Sequence, residues 1–152
     1  MRTNKVQILY YAATLLFVVP QAWSAVQYLS EAPRMVQTFE HLGYPLYFMK
    51  LLAVAKLLGI VVLLVGRWPV LKEWAYAGFT FDATGAFVSH LSVGDSILVA
   101  SVPAAFIAVQ LISYFAWKRA TGERVIQTEA RERAAAKSDV PANLRRRSSA
   151  ST

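Results

Sequence analysis

The chain has 152 residues, of which 56% are hydrophobic, and it carries a formal net charge of +7. This length is typical of a single domain. Because the chain contains no cysteine, it cannot form a disulfide, a thiol redox couple, or a cysteine-ligated zinc site or iron–sulfur cluster. The sequence also contains no phosphate-binding loop, no nucleophile elbow and no paired-carboxylate motif, so it gives no sign of the catalytic chemistry that these motifs support.

The hydrophobic residues fall in four blocks, at residues 6–29, 46–66, 74–93 and 96–117. Each block has about the 20 residues that a helix needs to cross a hydrocarbon core of about 30 Å. Within lipid, only helices and closed barrels pair every backbone polar group. The sequence therefore predicts an all-α fold, an integral membrane four-helix bundle. Helices joined by the short second and third connections are predicted to be antiparallel neighbours.

The positions of Lys and Arg predict the orientation of the bundle. Arg2 and Lys5 precede the first block, Arg67 and Lys72 lie in the second connection, and a basic segment follows the fourth block. The first connection contains only Arg34 and the third contains no Lys or Arg. Because positively charged loops stay on the cytoplasmic side, both termini are predicted to be cytoplasmic.

The first block also has a second interpretation. Its basic start, its apolar run and the sequence Ala22-Trp23-Ser24 resemble a cleavable signal peptide. The apolar stretch continues beyond that point, which favours a retained helix. Cleavage stays an alternative that an intact-mass measurement decides.

Two segments outside the blocks have helical patterns. In the first connection, Met35, Phe39 and Leu42 follow one another at i, i+4 and i+7, so residues 33–42 are predicted to form a short interfacial helix on the outer surface. After the fourth block, Glu129 and Arg133 have the spacing of a stabilising helical pair. The predicted organisation is a transmembrane domain at 1–119, a cytoplasmic helical extension at 120–137 and a disordered basic tail at 138–152.

Lys56 and Asp82 each lie near the middle of a hydrophobic block, where a charge is costly. Lys56 is ten residues from each end of the second block, and Asp82 is eight residues into the third, which enters from the opposite side. At about 1.5 Å per residue their depths differ by only a few ångström, so a buried ion pair is predicted. These two residues are the candidate catalytic groups, although such a pair can also serve only to fix helix register.

Helical spacing brings other polar residues to the same interior. On the third block an inward stripe of small and polar residues is predicted from Gly78 through Asp82 to His90. His90 lies about 12 Å beyond Asp82, nearer the outer end. The only other histidine is His41, and the chain offers no metal-ligand spacing, so no metal or haem site is predicted. The predicted pocket-lining residues are Tyr10, Thr14, Gln21, Ser24, Lys56, Asp82, Ser89 and His90.

Several short motifs resemble the DoxX-like family of small bacterial membrane proteins. They are LGYP at 42–45, LLAVAKLLG at 51–59, LKEWAYAGF at 71–79, FD at 81–82, GA at 85–86, SHL at 89–91 and GD at 94–95. The resemblance covers roughly residues 6–119 and implies a four-helix bundle in the bacterial cytoplasmic (inner) membrane. The family takes its name from small subunits associated with a quinol oxidase. The matching positions that would bear a site are Lys56, Asp82 and His90.

The resemblance and the buried pair together predict an accessory subunit of a redox or quinone-linked membrane system. A quinone or another lipophilic ligand would occupy the polar intramembrane pocket, and the partner would be a larger membrane redox subunit or a second copy of the chain, with no nucleic acid. Two alternatives stay open. One is an assembly or chaperone-type membrane protein that acts through helix packing. The other is a membrane-embedded isomerase or cyclase that acts on a lipophilic substrate, with Asp82 as general acid.

Overall fold

The computed structural model describes residues 2–66 and 68–138. That part of the chain contains five helices and no strand, which confirms the predicted all-α fold. Arg67 and the predicted disordered tail from residue 139 onward lie outside the described residues. The helices are α1 (Arg2–Leu29), α2 (Pro33–His41), α3 (Leu46–Val65), α4 (Pro69–Ser92) and α5 (Ile97–Ser138).

Three of the helices are long and apolar enough to cross a membrane. These candidate spans are Lys5–Leu29 in α1, Leu46–Val65 in α3 and Ile97–Gly122 in α5, and they make this a multi-pass membrane protein. Helix α4 has 24 residues, about 36 Å of helix, but it is not among these candidate spans. Its role as the fourth span stays a prediction.

The four long helices form a closed ring. Helix α1 packs against α3 and α5, and α4 packs against the same two helices, so α1 and α4 are diagonal to each other. The short helix α2 rests on α1 and α3. Contacts between Tyr10 and Lys72 and between Lys118 and Glu73 place the start of α1 and the latter part of α5 at the same end. The predicted cytoplasmic location of that end stays a prediction.

Helix boundaries follow local sequence signals. Pro33 and Pro69 begin α2 and α4, where a missing N–H costs nothing and the fixed φ suits a helix. Helix α3 is capped by Gly66, whose φ of 67° is left-handed and whose N–H donates to the carbonyl of Val62. Helix α2 ends at His41, one residue before the predicted limit.

Aromatic side chains fill the interior between the helices. Phe17 and Phe79 meet edge to face with ring centroids 5.0 Å apart, and Tyr76 and Trp117 stack at 6.1 Å. Gly59 allows α3 and α4 to approach, because a Cβ atom there would lie 2.8 Å from Phe79 Cε2. Many large apolar side chains instead face outward, as expected where the solvent is lipid.

Candidate functional site

The predicted pair of Lys56 and Asp82 is present in the bundle. Lys56 comes from α3 and Asp82 from α4, and the Lys56 Nζ atom lies 2.7 Å from Asp82 Oδ2. The side chain of Lys56 is 8% exposed and that of Asp82 is 18% exposed. The contact is therefore a mostly buried, charge-assisted hydrogen bond, in which the ammonium donates and the carboxylate accepts.

Helix α1 completes the surroundings of the ammonium. Lys56 Nζ also donates to Gln21 Oε1 at 2.8 Å, and it lies 5.6 Å from the centre of the Tyr28 ring, within cation–π range. Gln21 is itself buried. Two of the three ammonium N–H groups thus have oxygen acceptors on two different helices, which fixes the ammonium position relative to both.

Two cavities meet at this pair. The larger is a crevice of about 370 Å³ between α3 and α4. Its other walls are apolar, and Leu58 and Trp74 at its edge are exposed, so it opens toward the lipid side of the bundle. Its lining residues are Leu52, Ala55, Lys56, Leu58, Gly59, Val62, Leu71, Trp74, Ala75, Gly78, Phe79 and Asp82.

The second cavity lies inside the ring and is more polar. Its volume is about 180 Å³, and five predicted pocket residues line it: Gln21, Ser24, Lys56, Asp82 and His90. Pro20 and Pro103 also contribute to its wall. A space of this size and polarity suits a few water molecules, whereas the crevice reaches the lower end of the range for small-molecule sites, roughly 300 to 1,000 Å³.

At the end of this cavity nearest the connection between α4 and α5, a carboxylate contacts two histidines. His90 Nδ1 lies 2.6 Å from one oxygen of Asp95, and His41 Nε2 lies 2.9 Å from the other. Asp95 is in the connection between α4 and α5, and His41 ends α2. The hydrogen bonds from His90 and then His41 lower the pKa of Asp95 below its usual range. The contact therefore links the end of α2 to the connection between α4 and α5.

Three predicted pocket residues lie elsewhere. Thr14 is buried and shares a 2.7 Å hydrogen bond with Ser113. Ser89 bonds the Tyr44 hydroxyl at 2.7 Å, near the C-terminal end of α4. Tyr10 lies at the opposite end and accepts a hydrogen bond from Lys72 at 2.7 Å. Of the eight predicted residues, five therefore share one cavity.

The inward face of α4 is also displaced from the predicted stripe. Gly78 and Gly85 are exposed, and the buried positions are Lys72, Tyr76, Phe79 and Ala83. The prediction placed the small residues inside, because small residues allow close helix packing. In the bundle, large aromatic side chains fill that space and Gly78 instead lines the open crevice.

The predicted pocket residues omit two polar groups that join helices in the interior, Lys72 and Ser113. Lys72 was interpreted as a charge that sets orientation, yet it is 4% exposed. The spacing of Lys72 from Tyr76, Phe79 and Ala83 places all four residues on one face of a helix, and this pattern could have predicted that Lys72 is buried. Ser113 is fully buried and bonds both Thr14 at 2.7 Å and Tyr76 at 2.8 Å, and its hydroxyl joins three helices.

The chemistry of the site follows from these donors and acceptors. The Lys56 ammonium can donate to a carbonyl or phenolic oxygen, and the Asp82 carboxylate can accept or hold a proton. Within the described ranges, no group of three or more His, Asp or Glu side chains is arranged to hold a metal ion. The site is therefore suited to polarising one polar atom of an otherwise apolar molecule.

Comparison with known proteins gives a family match. The sequence model of the DoxX-like family matches residues 12–113, a region that contains Lys56, Asp82, His90 and Asp95. Neither the search of curated proteins nor the search of solved structures found a match.

Proposed function

Because this chain belongs to the DoxX-like family, we propose that it is an accessory subunit of a redox-linked membrane system. In this proposal the chain binds a quinone, or a similar lipophilic molecule with a carbonyl oxygen, at Lys56 and Asp82. One observation carries the proposal: a buried ion pair forms the polar end of an otherwise apolar crevice that opens toward the lipid.

The walls of the crevice fit such a ligand. A quinone has a flat ring with carbonyl oxygens and a long apolar tail, and it reaches its binding sites by diffusing within the bilayer. The exposed positions of Leu58 and Trp74 leave the crevice open on that side. Ligand sites in proteins are mostly apolar with a few well-placed polar groups, and Lys56 and Asp82 supply those groups here.

The two charged residues have separate tasks in this proposal. Lys56 donates a hydrogen bond to the ligand oxygen and favours negative charge on it, because a fixed ammonium in a low-dielectric site stabilises charge that develops there. Asp82 keeps the lysine charged and holds a proton when the ligand oxygen needs one. Gln21 fixes the ammonium from the other side, so that it stays in place when Asp82 takes up the proton.

The electrons come from a partner in this proposal. A larger membrane subunit would contain the redox centre and pass electrons to or from the ligand in the crevice. The single chain would then supply the ligand site and the proton-holding groups. Co-purification from native membranes, followed by mass spectrometry of the complex, tests this part of the proposal directly.

The ligand site is tested by titrating the purified protein in lipid nanodiscs with a short-chain ubiquinone. Trp74 lines the crevice, so quenching of tryptophan fluorescence reports binding. We expect Lys56→Met to weaken binding by about tenfold or more, since a hydrogen bond from a charged group is worth roughly 1.5 to 3 kcal/mol.

The matched control is Lys50→Met. Lys50 is on the same helix but is 54% exposed and pairs with Glu31, so its removal is expected to leave quinone affinity unchanged. Asp82→Asn keeps the shape and an acceptor oxygen while removing the charge, and the folded variant is expected to bind quinone more weakly than wild type. Equal quinone affinity in wild type, Lys56→Met and Asp82→Asn contradicts the proposal.

A further inference from the structure

A second buried lysine lies at the other end of the bundle, in a cavity separate from the crevice. Lys72, in the first turn of α4, is 4% exposed, and the cavity beside it has a volume of about 320 Å³. The walls come from α1, from the end of α3, from the start of α4 and from α5. The lining residues are Tyr10, Tyr11, Leu64, Val65, Gly66, Pro69, Lys72, Trp117, Ala120 and Thr121.

Each polar side chain that lines this cavity can donate a hydrogen bond. Lys72 Nζ donates to the Tyr10 hydroxyl oxygen at 2.7 Å, which leaves the Tyr10 O–H and two of the three ammonium N–H groups available to a further acceptor. The hydroxyl groups of Tyr11 and Thr121 also belong to residues of the wall. No acidic residue is among the lining residues.

The charge of Lys72 has no carboxylate partner in the part of the chain that the structure describes. Its ammonium lies 5.1 Å from the centre of the Tyr10 ring and 5.5 Å from the centre of the Trp117 ring. These aromatic faces attract the cation but do not neutralise it. The neighbouring acid, Glu73, pairs with Lys118. Because buried charges in proteins are normally paired, this ammonium is suited to binding an anion.

The depth of the cavity indicates where that anion comes from. Lys72 is three residues after the start of α4, Gly66 ends α3, and Trp117 is five residues from the end of the candidate span Ile97–Gly122. These positions lie within about 8 Å of the helix or span ends, near the boundary between hydrocarbon and head groups. At the rim, the side chains of Leu64, Val65 and Tyr11 are exposed, so an apolar surface adjoins the donors.

From these observations we propose that the cavity binds the phosphate of an anionic glycerophospholipid. The phosphate lies against the Lys72 ammonium and the Tyr10 hydroxyl, and an acyl chain lies along Leu64 and Val65. This inference concerns a different cavity from the quinone site and stands independently of it.

The test is native mass spectrometry of the detergent-solubilised protein during titration with lipid. Phosphatidylglycerol is the probe, and phosphatidylcholine with the same acyl chains is the zwitterionic reference. We expect wild type to bind one phosphatidylglycerol in preference to phosphatidylcholine, and Lys72→Met to lose about tenfold in affinity for phosphatidylglycerol, as removal of a charged hydrogen-bond donor implies.

Lys118→Met is the matched control. Lys118 also lies over the Trp117 ring, at 5.3 Å, but it is 46% exposed and already pairs with Glu73. We expect its removal to leave the affinity for phosphatidylglycerol unchanged. If Lys72→Met does not fold, two other variants test the site. Lys72→Arg keeps the charge and is expected to retain binding. Thr121→Trp fills the cavity from its wall and is expected to abolish binding.

Three results overturn the proposal. One is equal affinity of folded Lys72→Met and wild type for phosphatidylglycerol. Another is an equal loss in Lys118→Met, which would indicate a general effect of surface charge. The third is displacement of the lipid by millimolar inorganic phosphate, together with binding of that phosphate to wild type but not to Lys72→Met. That result would assign the site to free phosphate.

Discussion

Lys56 and Asp82 meet at 2.7 Å at the boundary between two cavities of opposite character. On one side is the apolar crevice between α3 and α4, and on the other is the smaller polar cavity toward His90. A pair that served only to hold the two helices in register would not need access to either space. The structural role of the pair can therefore be tested by measuring stability, and its functional role by measuring quinone binding.

Loss of one member of the pair is expected to destabilise the protein strongly. Lys56→Met leaves a mostly buried carboxylate without its cation, and breaking a buried pair in this way costs about 3 to 5 kcal/mol. The double variant Lys56→Met/Asp82→Leu removes both charges and is expected to recover most of that loss. Unfolding in mixed micelles, followed by circular dichroism, gives the free energies for a double-mutant cycle.

The exposed pair of Lys50 and Glu31 provides the control for this cycle. Lys50→Met is expected to change the free energy of unfolding by less than about 1 kcal/mol. A double variant that is as unstable as the sum of the single variants would show that the two charges do not interact. A stable double variant that fails to bind quinone would separate the functional role of the pair from its structural role.

The hydroxyl of Ser113 is expected to contribute to stability through its two interhelical hydrogen bonds. It bonds Thr14 of α1 and Tyr76 of α4 while being fully buried. Ser113→Ala leaves two buried hydroxyl groups without this partner, at a cost of about 1 to 3 kcal/mol. The matched control is Ser101→Ala, because Ser101 is exposed and bonds only the carbonyl of Leu98 in its own helix. An equal effect of the two substitutions contradicts this prediction.

A side chain at Gly66 is expected to destabilise the protein, for two reasons. Its φ of 67° is a conformation that costs a residue with a Cβ atom about 1 to 2 kcal/mol, and that Cβ atom would lie 3.1 Å from Lys72 Nζ. Gly66→Ala should therefore lower the thermal unfolding midpoint. Gly122→Ala, where the added Cβ meets no atom within 4 Å, should leave the midpoint unchanged or raise it, since alanine favours a helix. Equal midpoints for the two variants would exclude strain at Gly66.

The contact of Asp95 with the two histidines is expected to make stability depend on pH in the acid range. The pKa of Asp95 is lower in the folded protein than its usual value of 3.8, so the unfolded state takes up this proton first. The stabilisation from Asp95 is complete above the unfolded pKa and is lost as the pH falls through the folded pKa. Unfolding midpoints measured between pH 6 and pH 3 should therefore fall less steeply in Asp95→Asn than in wild type. Identical slopes would contradict the assigned contact.

The helices were predictable because hydropathy and length are local properties of the sequence. The hydrophobic blocks and the short helix after the first span follow from residues near one another in the chain, although α4 begins at Pro69, five residues before the predicted third block. A rise of about 1.5 Å per residue along antiparallel helices also predicts that Lys56 and Asp82 lie at the same depth. The contact between them confirms the predicted ion pair. The same rise per residue cannot give rotation about a helix axis, which is why the inward face of α4 was predicted to run along Gly78 and Gly85.

The sequence by itself determined the class of protein, the helices and the matching depth of Lys56 and Asp82, because these depend on composition and on distance along the chain. Only the tertiary structure decided which faces meet. It placed Lys72 inside the bundle, beside Tyr10 and Trp117, and it brought His41 and His90 to the same carboxylate, that of Asp95. The physical reason is packing: the rotation of each helix is set by the fit of large side chains such as Phe79 against Gly59, and that fit involves residues far apart in the sequence.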